Sequence, residues 1–400
     1  MFYWLFMFRN DINFDLFNKR LSQFFVQIIT LIIVIEVLSP IPSPADLQNN
    51  VQTHYLTFRF NTELTGFSQQ ALPEKLQLIW SIKIGDQLKA SPICYSNMVF
   101  CGSDNGAMYA VDLYSGTVLW TNKTSNAIES PAAILPDSSL IVGNVDGTLL
   151  CMDIGTGKTL WSFTTNGKII GSPNIIPHNK SVVIGCYDNN LYCVDASSGK
   201  LIWKYQSESY INGSPAVIDN KIVFGGCDAF LHILDAISGK TLAKLSVDSY
   251  VAGAVAVSNN KAFLGTYGGK LLGIDINSNN IIWQFTPDPT AQPFVSSPAV
   301  ADNKVVIGCR NKNIYCVNAS DGKKIWSFKT RGEVDSSPII CKDKIVVGSS
   351  DGRIYILDLE KGSESWRYEI GAPITNSPFL YKERLIIASE DGKIYCFGKK

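Results

Sequence analysis

From residue 76 onward the chain alternates short apolar runs with clusters of Asp, Asn, Gly, Ser and Lys. In one stretch, residues 297–300 begin a first run, and 304–308, 313–317 and 323–328 follow as a second, third and fourth, rich in Val, Ile, Tyr and Phe. β-Branched and aromatic residues in runs this short, bounded by turn formers, predict four strands joined by tight turns. The pair Ser297-Pro298 opens the first strand. A proline is tolerated there because its missing N–H falls where pairing has not begun.

The four-run unit recurs, and a fixed period near 40 residues marks a propeller or array. Trp80, Trp120, Trp161, Trp203, Trp283, Trp326 and Trp366 fall at steps of 40, 41, 42, 80, 43 and 40, with Ala243 filling the double step. An acid or its amide stands eight residues before each tryptophan from Trp120 on: Asp112, Asp153, Asp195, Asp275, Asn318 and Asp358, with Asp235 likewise before Ala243. Four residues after that acid comes Gly116, Gly157, Gly199, Gly239, Gly322 or Gly362, and in one unit Asn279, the non-glycine that best tolerates a left-handed backbone. Ser-Pro recurs at Ser91, Ser130, Ser172, Ser214, Ser297, Ser337 and Ser377, and one unit has Ala254-Val255 instead.

The eighth unit reaches Gly398 where the others carry their acid, so it holds three strands. Residues 76–83, centred on Trp80, match the missing fourth strand and precede the first Ser-Pro. The expectation is an all-β, eight-bladed propeller of four-stranded antiparallel blades over residues 76–398, closed by the N-terminal strand completing the last blade. Closure removes free sheet edges that would otherwise invite aggregation. Composition agrees: of 400 residues 46% are hydrophobic, 18% charged and 31 are glycine. The formal net charge of zero gives no basic field for nucleic acid.

Ser-Pro, the Asp turn, Ser/Thr-Gly-Lys and Trp, as in residues 153–161, resemble the tryptophan-docking motif of the pyrroloquinoline-quinone-like propeller repeat. That family includes quinone-dependent dehydrogenases and non-catalytic members of the outer-membrane assembly lipoprotein B type. For the catalytic branch the resemblance implies a quinone between a tryptophan and a disulfide of adjacent cysteines, with calcium held by carboxylate and amide oxygens. No two of the ten cysteines here are adjacent, and every tryptophan beyond Trp4 stands at a docking position.

The seven repeat tryptophans are therefore read as blade-docking residues and the repeat acids as turn caps. Cys151, Cys193, Cys316 and Cys396 exchange with Ala110, Ile233, Gly273 and Ile356, which marks them as small core fillers. His232 takes the slot of Tyr109, Tyr192, Tyr315 and Tyr355, and His54 and His178 have no partner at metal-ligand spacing. No catalytic, metal or cofactor-binding residue is expected. What varies between units is the loop before each Ser-Pro, where propellers carry function. Lys89, Glu129, Lys168, Tyr210, Asn212, Tyr250, Glu333, Asp335 and Asn376 form the candidate axial-mouth site.

Residues 24–38 are apolar and follow Arg9, Lys19 and Arg20. This is short for a spanning helix and suits a signal peptide or signal anchor within a targeting segment 1–45, which would export the propeller. Residues 46–75 read as a flexible linker. The leading expectation is a non-catalytic scaffold that binds a protein or peptide at or beyond a membrane, without cofactor, touching the membrane only through its N-terminal segment. A quinone-dependent oxidoreductase using calcium, and a small-molecule sensor using the axial funnel, stand beside it.

Overall fold

A computed structural model describes residues 57–287 and 292–399. The targeting segment 1–45, the start of the linker and His54 lie outside the described residues. The described chain forms eight four-stranded blades, numbered here from the one whose inner strand is Ile93–Tyr95. In blade 6 the strands are Ala299–Ala301, Lys304–Cys309, Asn313–Asn318 and Lys324–Lys329, paired antiparallel in sequence order. The two middle strands are buried along nearly their whole length, whereas the outer one alternates exposed and covered positions. A middle strand has a neighbouring blade on each face, so its sequence is continuously apolar; the outer strand keeps the period-2 pattern of a half-exposed one.

The ring closes as expected. Gln77–Lys83 pairs antiparallel with Lys393–Gly398, with Trp80 opposite Cys396 and Lys83 opposite Lys393. Both ends of the propeller chain thus share the last blade. No helix among the described residues is long and apolar enough to cross a membrane.

Adjacent blades are fastened by one recurring joint. Asp153 Oδ1 accepts hydrogen bonds from Thr156 N at 2.8 Å and Thr156 Oγ1 at 2.6 Å, which tightens the turn that ends in Gly157 at φ +71°. The Trp120 indole of the preceding blade lies on that glycine and donates its N–H to Ile154 O at 2.9 Å. A Cβ on Gly157 would stand 2.4 Å from Trp120 Cε3. The glycine is required twice, for its backbone conformation and for the ring's close approach. Trp80, Trp161, Trp283 and Trp326 make the same bond to Leu113, Ala196, Ala319 and Leu359 carbonyls.

The unit with Asn279 explains itself. Asn279 still adopts φ +57°, but the blade before it carries Ala243 in place of tryptophan. With no indole to receive, the turn tolerates a Cβ. Two of the docking tryptophans meet the next blade in a different way. Trp203 lies on Gly239, but its buried indole N–H has no partner. Trp366 meets no glycine turn, because blade 8 ends its third strand at Gly398; it packs on Tyr368 and Phe397, with ring centroids 6.0 and 5.7 Å away.

All ten cysteines are free and nine are buried. Burial pushes the Cys101 thiol up to about 12 and that of Cys186 to about 11, which leaves them protonated and unreactive at neutral pH.

The expected linker 46–75 is corrected over residues 57–68, which are built into the propeller. Phe67–Ser68 adds a parallel strand to the inner strand Ile339–Cys341 of blade 7. Phe58 and Leu64 are core residues, and Phe60 packs against Phe379 of blade 8 at 4.7 Å between ring centroids. Four apolar residues, Phe58, Phe60, Leu64 and Phe67, provide the burial that a solvated tether would not have.

Candidate functional site

Inner strands of a propeller face the axis, and their outward N–H groups need acceptors. Residues 57–68 provide them. The carbonyls of Thr62, Glu63, Thr65 and Gly66 accept from Val217, Val257, Val300 and Ile340 N at 2.8–2.9 Å, on the inner strands of blades 4, 5, 6 and 7, and Ser68 O accepts from Lys342 N at 3.1 Å, just past the last of these strands. Asn174 of blade 3 adds its Nδ2 to Thr62 O at 2.7 Å. The segment is shaped from within by Asn61, whose Oδ1 accepts from Thr65 N at 2.9 Å and whose Nδ2 donates to Thr65 Oγ1 at 2.8 Å. Arg59 donates Nη2 to Pro298 O at 2.7 Å and to Pro338 O at 2.9 Å, tying the segment to blades 6 and 7. The chain's own peptide occupies the axial channel.

Above it lies the mouth, a cavity of about 250 Å³ lined by Phe58, Lys89, Glu129, Asn212 and Ser297 together with Gly171, Gly213 and Gly253. In every blade two loops meet at this face. A main-chain bond joins the loop before Ser-Pro to the turn between second and third strands: Asp104 N to Gln87 O, Tyr187 N to Lys168 O, Tyr267 N to Tyr250 O and Arg310 N to Pro293 O, for example. A rim residue from one loop therefore always has a neighbour from the other.

Of the nine candidate residues, three line the cavity: Lys89, Glu129 and Asn212. Lys89 Nζ lies 3.1 Å from Glu129 and 3.2 Å from Asp104, and hydrogen bonding to Glu129 raises its pKa. Asn212 is fixed between Tyr187, whose hydroxyl donates to Oδ1 at 2.7 Å, and Ala252 O, which accepts from Nδ2 at 2.9 Å. Tyr210 stacks on Tyr187 with centroids 5.0 Å apart and planes 1° from parallel, and Tyr250 lies beside Tyr267 at 6.1 Å. Tyr210, Tyr250 and Tyr267 remain about half exposed, a shelf of aromatic surface over blades 3 to 5. Lys168 is exposed at the rim.

Glu333 and Asp335 are held by Arg310, which grips Asp335 through Nε at 2.9 Å and Nη2 at 2.7 Å and lies 3.7 Å from Glu333. Asn376 is corrected from a rim residue to a buried one, its Nδ2 donating to Leu88 O at 2.5 Å. Sequence reasoning missed Asp104, Tyr187, Tyr267 and Arg310, because it followed only the loop before Ser-Pro. The blade-to-blade variation at these second-loop positions was the available signal. In the loop that leads into blade 2, Ile128 is buried against Gly102 in the second strand of blade 1.

His232 is wholly buried, with Nδ1 3.0 Å from the Tyr205 hydroxyl and Nε2 3.0 Å from Asp228 Oδ2. Burial lowers its pKa against the pull of Asp228. Elsewhere in the ring the same slot holds a tyrosine on the same acid, as in Tyr192 to Asp188 and Tyr355 to Asp351, both 2.7 Å. This is a repeated core bond with histidine substituted. Among the described residues no three His, Cys, Asp or Glu side chains converge as a metal site. The mouth carboxylates Glu129, Glu333 and Asp335 and the amide of Asn212 are already engaged with Lys89, Arg310 and Tyr187.

A family model described as "Beta-alanine-activating enzyme, beta-propeller" matches residues 138–400. This chain belongs to that propeller family. A second model, "Outer membrane protein assembly factor BamB", matches residues 74–164, the closing strand and the first two blades, in keeping with a pyrroloquinoline-quinone-like propeller. BamB from Moraxella catarrhalis has the same fold, with a TM-score of 0.71 at 18% identity over 81% of this chain and all of that one. A europium-containing methanol dehydrogenase superposes with a TM-score of 0.74 at 12% identity over 88% of this chain and 99% of its own. The quinohemoprotein alcohol dehydrogenase of Comamonas testosteroni gives 0.72 at 13% identity over 88% and 82%. These likenesses establish the propeller and no activity. A curated relative, the 1-butanol dehydrogenase (cytochrome c) of Thauera butanivorans, is 29% identical over 104 residues, 23% of this chain. The chain spans 15% of that relative's length.

Proposed function

We propose that this propeller is a non-catalytic scaffold that holds a protein or peptide segment at its axial mouth. The observation that carries the reading is the division of the axis: residues 57–68 fill the channel, while the mouth keeps an open cavity beside a shelf of exposed tyrosines. Aromatic side chains of this kind supply large contact area at low entropy cost and are enriched at protein interfaces. The BamB likeness supports the reading, since that protein is named as an outer membrane protein assembly factor. The family description names a β-alanine-activating enzyme and assigns the matched part to its propeller. Export by residues 1–45, placing the propeller at or beyond a membrane, is part of the same proposal.

The dehydrogenase relatives favour a second reading, a quinone-dependent oxidoreductase with calcium. The residues present fit it poorly. The channel is occupied by the chain's own segment, and its mouth carboxylates are engaged with Lys89 and Arg310. Calcium needs six to eight oxygen ligands converging on one point. A third reading, a small-molecule sensor, has the 250 Å³ cavity in its favour.

Photoreactive phenylalanine placed at Tyr210 or Tyr250, and at the exposed outer-edge Leu160 as a control, tests the scaffold reading in native membranes. A discrete protein adduct from the two mouth positions and none from Leu160 is expected. Adducts only from Leu160, or from no position, would reject a mouth-bound partner.

A further inference from the structure

Given a partner segment at the mouth, on which this step rests, we propose that the segment is a basic peptide, with Lys or Arg set between apolar residues. Charge is divided unevenly between the two faces of the ring. Outside the strands, the described residues of the two mouth loops of all eight blades carry thirteen Asp and Glu against six Lys and Arg, whereas the turns of the opposite face carry seven and eight. The whole chain has a formal net charge of zero, so the excess of negative charge is local to the mouth. There it attracts cationic chains and turns away acidic ones.

The side chains at the mouth are arranged to match. Lys89 lies 3.2 Å from Asp104 and 3.1 Å from Glu129, and Arg310 lies 2.7 Å from Asp335 and 3.7 Å from Glu333. Each cluster sets two carboxylates against one cation and keeps one negative charge uncompensated. Glu129 lines the 250 Å³ cavity beside Phe58 and Val295, apolar walls for the stem of a long side chain whose charged end reaches the carboxylate. Along the ring between the clusters, the loops entering blades 4 and 5 share a pattern found in no other entering loop: Glu208-Ser209-Tyr210 and Asp248-Ser249-Tyr250. Both tyrosines are half exposed, and the two acid side chains are 72% and 69% exposed. Their pairing with Lys244 and Lys270 is therefore of the weak surface kind. An open aromatic face beside a carboxylate receives a cation on both groups at once. The protein makes that contact within itself, where Lys244 Nζ lies 4.0 Å from the centroid of the Phe230 ring and pairs with Glu208. Apolar residues of the peptide would cover the remaining tyrosine surface.

The full-length protein is titrated into three fluorescent peptides of equal length that share a Leu-Gly framework and carry Lys, Gln or Glu at the same positions, and binding is read by anisotropy. Saturable binding of the Lys peptide alone is expected, declining as salt is raised. It should weaken about two- to fivefold in Glu129→Gln and in Glu333→Gln, the worth of one partly exposed ion pair. Asp219→Asn, on the opposite face, should leave it unchanged. Equal binding of the three peptides, preference for the Glu peptide, or no binding overturns the basic partner, and so does Lys-peptide binding indifferent to Glu129 and Glu333. Photo-adducts at Tyr210 and Tyr250 judge the mouth separately: adducts there without a preference for the Lys peptide reject the basic partner and keep the scaffold.

Discussion

Replacing Gly157 by asparagine isolates what the blade joint demands of its glycine. Asparagine already occupies the equivalent turn at Asn279 with φ +57°, so the left-handed backbone at Gly157, φ +71°, adds little cost. What differs is the neighbour. At Gly157 a Cβ falls 2.4 Å from Trp120 Cε3 and 2.6 Å from Cδ2, both atoms of a rigid ring, whereas the blade before Asn279 presents Ala243. The indole must retreat, which strains packing by about 1–3 kcal/mol. Its 2.9 Å bond to Ile154 O is stretched or lost, about 1 kcal/mol more. The expected loss of roughly 2–4 kcal/mol is a large part of the ~5–15 kcal/mol that holds a typical domain folded. At about 2–4 °C per kcal/mol for a large domain, Tm falls by roughly 4–16 °C. Scanning calorimetry reads it directly. The converse pair checks the logic: Ala243→Trp destabilises alone and is tolerated together with Asn279→Gly, a coupling of about 1–3 kcal/mol in a double-mutant cycle. If Gly157→Asn melts with the native protein, or Ala243→Trp is indifferent to residue 279, contact with the indole is not what selects glycine.

Two further outcomes follow from the closure and the turns. A chain beginning at Leu72 keeps the closing strand Gln77–Lys83 but loses Phe58, Arg59 and Leu64 from the channel, so its Tm should fall by several degrees, and a chain beginning at Ile84 should melt lower still; equal melting of the full chain and the Leu72 chain would show that the segment contributes nothing to the fold. The turn carboxylates of Asp153, Asp195 and Asp235 are held below the ordinary carboxylate value by hydrogen bonds from Thr156, Ser197 and Ser238. A folded pKa below the unfolded one gives stability that is present above about pH 4 and is lost as pH falls through the folded values, so Asp195→Asn should flatten the acid limb of a stability profile; an unchanged acid limb would exclude this carboxylate as a contributor.

The ring was legible because its signals recur in nearly every blade. Tryptophan, acid and glycine return at fixed offsets, and each must meet its counterpart in the next blade, so the period carries three-dimensional information. The replacement of Gly by Asn279 was legible as a turn; why it was allowed was not, since Ala243 precedes it by 36 residues and only the joint brings them together. At the mouth, Lys89, Glu129, Asn212, Tyr210 and Tyr250 were found from one loop, but their partners Asp104, Tyr187 and Tyr267 come from the other loop, and no pattern within one loop reports a neighbour across the blade. Asn376 looked like a rim residue because a polar side chain before Ser-Pro is normally exposed; here the next loop offers it the Leu88 carbonyl in the interior. The channel segment occurs once, so repetition could not reveal it. Its Asn, Gln and Thr residues suggested a tether, whereas what decides its place is the row of inner-strand N–H groups waiting for acceptors.

Residues 57–68 hydrogen-bond to the inner strands of blades 4 to 7, and on this rests the proposal of a scaffold without a quinone. Pyrroloquinoline quinone and calcium, added in excess to the purified full chain, should leave Tm unchanged and yield no dye-linked turnover with alcohols or sugars. A saturable stabilisation by the quinone, weakened by Glu129→Gln or Asp335→Asn, would contradict it and make the oxidoreductase reading the better one.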